Sequence, residues 1–136
     1  MRYIIMPFLA WFVSGTCKFC INYLQFGKKA RTLVGYGGFP STHTTIISSV
    51  VFLCGFNEGF DTSLFSLGLG VLLVLIIDAH DLRRKVGQQA KILNSLQKIN
   101  EIKTNILLRE KMGHSWLEII GGILLGAGLA FIISGV

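Results

Sequence analysis

Charge is what this chain has least of. Only 15% of its 136 residues are Asp, Glu, Lys or Arg, about half are apolar, and the mean hydropathy is positive. That balance excludes an ordinary soluble domain and points to a single membrane-embedded domain over residues 1–136. No small-x-small cleavage site follows the first apolar run, where Arg2 is the only early charge, so the N-terminal stretch reads as a retained span and not a secretory signal. The lysines come without interleaved aromatics or a recognisable binding module, which argues against a nucleic-acid partner. Cysteine is sparse. Cys17 and Cys20, one helical turn apart, lack the two further soft ligands of a zinc site and the βαβ setting of a redox pair, so with Cys54 they read as small buried hydrophobes.

Apolar sequence is abundant by contrast, in four stretches: Tyr3 to Phe26, Thr44 to Phe56, Thr62 to Ile77, and Trp116 to Val136. Crossing a bilayer takes about 20 residues. The first and last are long enough, while the middle two must borrow flanking residues, or tilt and thin the bilayer. From Asp81 to Lys111 the pattern changes. Val86, Ala90, Leu93, Leu96, Ile99, Ile102, Ile106 and Leu107 recur at three- or four-residue spacing among polar residues, which predicts a long amphipathic helix. Its stripe must pack on the ends of the spans, lie in the interface, or pair with a second copy in a homo-oligomer. The expected fold is all-α, an integral membrane helical bundle of about four membrane segments plus this polar helix.

The net charge of +6 is unevenly placed. Lys28, Lys29 and Arg31 precede the second apolar stretch, and Arg83, Arg84, Lys85, Lys91, Lys98, Lys103, Arg109 and Lys111 precede the fourth. If all four stretches cross, these eleven basic residues share one side, against Arg2 alone beside the acidic turn at Glu58 and Asp61. The positive-inside rule then places both long connections in the cytoplasm, the setting of a multi-pass plasma (inner) membrane protein.

The chain has only three histidines, and His43 and His114 both stand where a Gly-containing polar segment turns into an apolar run. Gly37-Gly38-Phe39-Pro40-Ser41 has the grammar of a helix start, whose free N–H groups and dipole favour an anion. Ser41 and Thr42 add hydroxyl donors, and His43 can donate a proton near neutral pH. His114 and Glu118, four apart, share a helical face on which the carboxylate can fix the imidazole tautomer, making His114 a candidate nucleophile or base. The same spacing continues as Gly122, Gly126, Ala130 and Ser134, a small-residue stripe that admits another helix closely. Read singly, each histidine has a structural explanation as well, a capped or interfacial helix start. Span parity brings His43, Asp78 and His114 to one membrane surface. Lys18, inside the first span, either snorkels or meets an anion. Asp78-Ala79-His80-Asp81 invites a metal reading, set against ion pairs to Arg83 and Arg84.

Pro40-Ser41-Thr42-His43 resembles the Pro-Ser-Gly-His motif of the type 2 phosphatidic acid phosphatase and vanadium haloperoxidase superfamily. His114-x-x-x-Glu118, with Gly122 and Gly126 beyond it, resembles that superfamily's third motif, His-x-x-x-Asp followed by spaced glycines. The ordered set of Gly37-Gly38-x-Pro40-Ser41-x-His43, the Asp78 to Arg84 block, Gly87-Gln88-Gln89-Ala90 with Asn94, and Gly113-His114 is similar to the small divergent membrane branch, over nearly the whole chain. The resemblance implies a metal-independent lipid phosphate phosphatase that needs no cofactor. His114 would be the nucleophile forming a phosphohistidine, Glu118 its orienting carboxylate, and His43 the acid for the leaving alcohol. Ser41 and the backbone around Thr42 would hold phosphate oxygens.

The chain also departs from the family pattern. Thr42 replaces Gly and Glu118 replaces Asp. The family's arginine six residues before the nucleophile falls on Leu108, with Arg109 beside it, about 100° round a helix. Arg83 or Arg84 would then supply the charge. Lys18, backed by Lys28, Lys29 and Arg31, stands in for the absent first motif. The expected substrates are phosphatidylglycerophosphate, phosphatidate or a polyprenyl diphosphate. The rival functions are a catalytically inactive lipid-phosphate-binding membrane scaffold and a transporter subunit.

Overall fold

The computed structural model describes residues 1–27, 38–99 and 106–135. Its helices are α1 (Arg2–Phe26), α2 (Thr42–Glu58), α3 (Ser63–Ile77), α4 (Arg83–Ile99) and α5 (Trp116–Ser134), with a π-helical turn, Asp78–Leu82, joining α3 to α4. Among the described residues there is no strand. The four-span expectation is met in part. Three helical stretches are long and apolar enough to cross a membrane: Arg2–Gln25, Trp116–Ser134, and Ser63–Ile99, which runs unbroken for 37 residues from α3 through the π turn into α4. At 17 residues, α2 falls short of that length.

Instead α2 is the enclosed helix, packed against α1, α3 and α5. Its hydroxyl-rich sequence explains the arrangement. Thr44, Thr45, Ser48 and Ser49 are fully buried, and small side chains let a neighbouring backbone come close. The neighbour is α5, through the expected stripe of Gly122, Gly126, Ala130 and Ser134. A Cβ on Gly122 would lie 2.7 Å from the Ser41 carbonyl oxygen, and one on Gly126 would strike Ser48 Oγ and lie 2.7 Å from the Thr45 carbonyl. Three of these buried hydroxyls are satisfied by main chain: Thr45 Oγ1 donates to Ser41 O at 2.9 Å, Ser49 Oγ to Ile46 O at 2.8 Å, and Ser48 Oγ to Gly122 O across the seam at 3.3 Å. Deeper in, Met6, Leu53 and Ala130 form an apolar core, and Phe56 stacks edge-on against Phe60 and Phe131.

Large apolar residues on the outside, among them Phe8, Trp11, Phe12, Leu67, Val74, Leu124 and Ile132, are exposed, as a bilayer-facing surface requires. Of the cysteines Cys54 is buried, but Cys20 is exposed on α1, not packed as expected.

Helix direction is fixed at both ends. Tyr3 Oη donates to Glu58 Oε1 at 2.8 Å and Arg2 Nη1 to Ser134 O at 3.1 Å, so the start of α1 meets the finishes of α2 and α5. At the other end Ser41 N donates to Glu118 O at 2.8 Å, joining the starts of α2 and α5.

The polar connection departs from the expected single helix to Lys111. Residues 106–115 are not helical and run back along α4. Asn94 is the clamp: its Nδ2 donates to Leu108 O and Glu110 Oε1, both at 2.9 Å, and its Oδ1 accepts from Leu108 N at 3.0 Å. The buried face of α4 is therefore Gly87, Ala90 and Asn94, with Gly87 pressed against the Glu110 carbonyl. Among the described residues of the predicted apolar stripe only Ala90 is covered. Val86, Leu93, Leu96, Ile99, Ile106 and Leu107 are exposed, and Ile102 lies outside the described residues, as do Lys28, Lys29, Arg31 and Lys103.

Candidate functional site

Two helix starts and the π turn meet at one end of the bundle. A capping box begins α5: Ser115 Oγ accepts from Glu118 N at 3.3 Å, and Glu118 Oε2 accepts from Ser115 N at 2.9 Å. That same carboxylate oxygen lies 3.1 Å from His114 Nδ1. One glutamate thus caps the helix and orients the histidine. A carboxylate acceptor places the proton on Nδ1 and leaves Nε2 with its lone pair. His114 is only 9% exposed, so its ring has little freedom.

The main chain around His114 is held by the π turn. Hydrogen bonding there runs to the fifth residue, with Arg83 N donating to Asp78 O, and the shifted register presents the Ala79 carbonyl to His114 N at 2.9 Å. His80 Nδ1 lies 3.2 Å from His114 O, and its ring packs on Trp116 with centroids 4.5 Å apart. Gly113 turns the chain with φ of +89°, and a Cβ there would lie 2.6 Å from Arg84 Cγ. Only glycine combines that dihedral with that proximity.

His114, Glu118, His80, Arg84, Lys111 and Trp116 line an open cleft of ≈ 740 Å³, closed on the α1 side by Ile21, Asn22 and Gln25. A second group stands beside it. Lys18 Nζ donates to Thr42 Oγ1 at 3.2 Å, and Ser14 Oγ donates to the same oxygen at 3.1 Å. So Lys18 finds the start of α2. His43, next in sequence, lies within electrostatic reach of Arg83, Lys18, Asp78 and His114. Arg83 Nε donates to Asp78 Oδ2 at 2.8 Å, the ion pair expected for this block.

The structure therefore gathers Lys18, Thr42, His43, Arg83, His114 and Glu118 into one electrostatic neighbourhood, and puts Arg84 on the cleft wall. Ser41 and Arg109 do not line the cleft. Ser41 is fully buried with its Oγ 2.8 Å from Thr44 Oγ1, and Arg109 is exposed with Nε donating to Lys111 O at 3.2 Å. Arg31 lies outside the described residues. Among the described residues no three His, Cys, Asp or Glu side chains gather as a metal site would need.

Sequence reading missed Lys111 and the place of His80. The spacing of His80 and Arg84, four apart, was the available signal, since both reach the cleft.

A family described as the Divergent PAP2 family matches residues 1–129. The chain is also similar to the uncharacterized membrane protein YuiD of Bacillus subtilis (strain 168), with 28% identity over 112 residues, 72% of this chain and 71% of that protein. No solved structure matches significantly.

Proposed function

The chain belongs to the divergent PAP2 family, and we propose that it is a metal-independent lipid phosphate phosphatase working through a phosphohistidine. The observation that carries this is a buried histidine, held by a carboxylate at 3.1 Å, opening on a cleft lined by Arg84 and Lys111. Such an imidazole is a competent nucleophile, and the cations stabilise the charge of a transferring phosphoryl group.

His114 Nε2 attacks phosphorus, the bond to the lipid oxygen breaks, and the oxygen takes a proton from His43. Water then attacks the phosphohistidine and gives its proton to His43, the P–N bond to His114 breaks, and phosphate leaves with both histidines restored. Arg83, paired with Asp78, contributes positive potential at His43. Thr42 links Lys18 to the start of α2, so Lys18 reaches the site through that hydroxyl. The asymmetry of basic residues favours the cytoplasmic face for the site, where phosphatidylglycerophosphate and phosphatidate are the candidate substrates. A site on the opposite face favours a polyprenyl diphosphate.

The test is phosphate release from each of these lipids in detergent. His114→Ala turning over as fast as wild type would refute the mechanism, and insensitivity to orthovanadate would count against it. Labelling engineered cysteines at positions 29 and 59 in intact cells fixes the orientation: reaction from outside at position 29 alone reverses it. One observation favours a second reading. Arg109 Nε donates to the Lys111 carbonyl and Arg109 does not line the cleft, so the arginine nearest the family position is not on the cleft wall. A lipid-phosphate-binding scaffold would bind these lipids without turnover and be indifferent to His114→Ala.

A further inference from the structure

Building on the phosphatase reading, we propose that His80 is a positioning residue for His114, acting through a two-point grip on the His114 main chain that the π turn makes possible. His114 precedes the cap of α5, so no helical hydrogen bond fixes its backbone, and Gly113 before it turns the chain at a φ of +89°. Among the described residues, Glu118 is the hydrogen-bond partner of the ring. Both polar main-chain groups of His114 are instead taken by consecutive residues of the turn: Ala79 O accepts from its N–H at 2.9 Å, and His80 Nδ1 meets its carbonyl at 3.2 Å. A carbonyl only accepts, so His80 must carry its proton on Nδ1 and donate. Trp116 packs on the imidazole at 4.5 Å and sets its plane. The turn thereby joins the long α3–α4 helix to the residue whose Nε2 must meet phosphorus within a narrow range of distance and angle.

The expected cost of losing this grip is set by misplacement of the nucleophile. A shift of about 1 Å lowers rate by about 10²-fold, and substrate binding through Arg84 and Lys111 is spared. A proton-transfer role for His80 is the alternative, and asparagine separates the two. Its amide N–H can stand in for Nδ1–H toward the carbonyl, but it cannot exchange a proton with substrate.

The experiment uses the full chain in detergent with phosphatidate, comparing wild type, His80→Ala, His80→Phe and His80→Asn. With His80→Ala, kcat is expected to fall by about 10- to 100-fold with KM within about threefold, and His80→Asn to recover to within about fivefold of wild type. His80→Phe keeps an aromatic face for Trp116 without the donor and is expected to behave as His80→Ala; it carries the test if the alanine variant does not fold. Hydrogen exchange at the His114 amide, which needs no turnover, is expected to quicken in the alanine and phenylalanine variants and to return toward wild type in the asparagine variant. Wild-type kcat or unchanged exchange in both donor-less variants overturns the proposal. An asparagine variant with restored protection but no restored turnover also overturns it, in favour of proton transfer. A wild-type protein that releases no phosphate refutes the phosphatase reading, while the exchange series still decides whether His80 holds His114.

Discussion

At one end of the bundle the start of α1 meets the finishes of α2 and α5 through Tyr3, Glu58, Arg2 and Ser134; at the other, the starts of α2 and α5 meet beneath Lys18, Arg83 and Arg84. The same two helices present opposite dipole ends. Their N–H ends and the basic side chains coincide, so positive potential accumulates where His43 and His114 lie. At the far end the carbonyl of Ser134 is met by the Arg2 guanidinium. A pair of parallel helices packed through small residues thus sets both N–H ends at the same end of the bundle before any side chain adds its own charge.

The sharpest way to break the comparison is at the histidine itself. His114→Ala is expected to lower phosphate release by at least about 10³-fold, about 4 kcal/mol on the barrier, while the unfolding midpoint stays near wild type. Steady-state turnover and thermal unfolding, measured on the same detergent preparation, check both halves.

Next in size is the seam that aligns the two helices. Gly126→Leu drives a side chain into Ser48 and the Thr45 carbonyl. Overpacking of this kind costs about 1–3 kcal/mol. Because α2 joins both ends, the variant is expected to lose stability and activity together, read as a lowered unfolding midpoint with a proportionate loss of turnover. Retained turnover with a lowered midpoint would mean that the site tolerates a wider α2–α5 separation.

A smaller effect is expected from Asn94→Ala. Three hydrogen bonds to residues 14 and 16 positions away are lost, and the Leu108 N–H and carbonyl lose their partner. The expected destabilisation is about 1–3 kcal/mol. Amide exchange should rise first in residues 106–113, which precede His114, and leave α1 and the far end protected.

Asn94 also shows where sequence stops speaking. The apolar helices were legible because length and hydropathy are local properties, and the convergence of His43, Asp78 and His114 followed from the parity of the spans. The His114–Glu118 pair was legible from four-residue spacing, although the reversal after α4 was not, since the bonds that hold it are long-range. Exposed Val86, Leu93 and Leu96 carried most of the periodic signal, while the covered face joined Ala90 of that stripe to Gly87 and Asn94, which do not register as apolar. Ser41 reads as a free hydroxyl at a helix start only until Gly122 is placed opposite it, where the lack of a side chain draws the Ser41 main chain into the seam. A π turn has no compositional signature at all, which is why His80 first read as a member of an acidic cluster.

The smallest effect is expected at the far end, and it tests the asymmetry most directly. Tyr3→Phe removes the hydrogen bond to Glu58 and the one received from Asn57 Nδ2 at 3.3 Å, leaving the ring in place. Both partners are exposed, so water replaces what is lost and the unfolding midpoint is expected to move little. Phosphate release should match wild type, since the far ends of α2 and α5 carry none of the charges around His43. A fall in turnover without a fall in stability would mean that the two ends communicate along α2. The seam of Gly122 and Gly126 would then transmit motion as well as fix alignment, and Gly126→Leu would have to be read as a defect of coupling and not of packing alone.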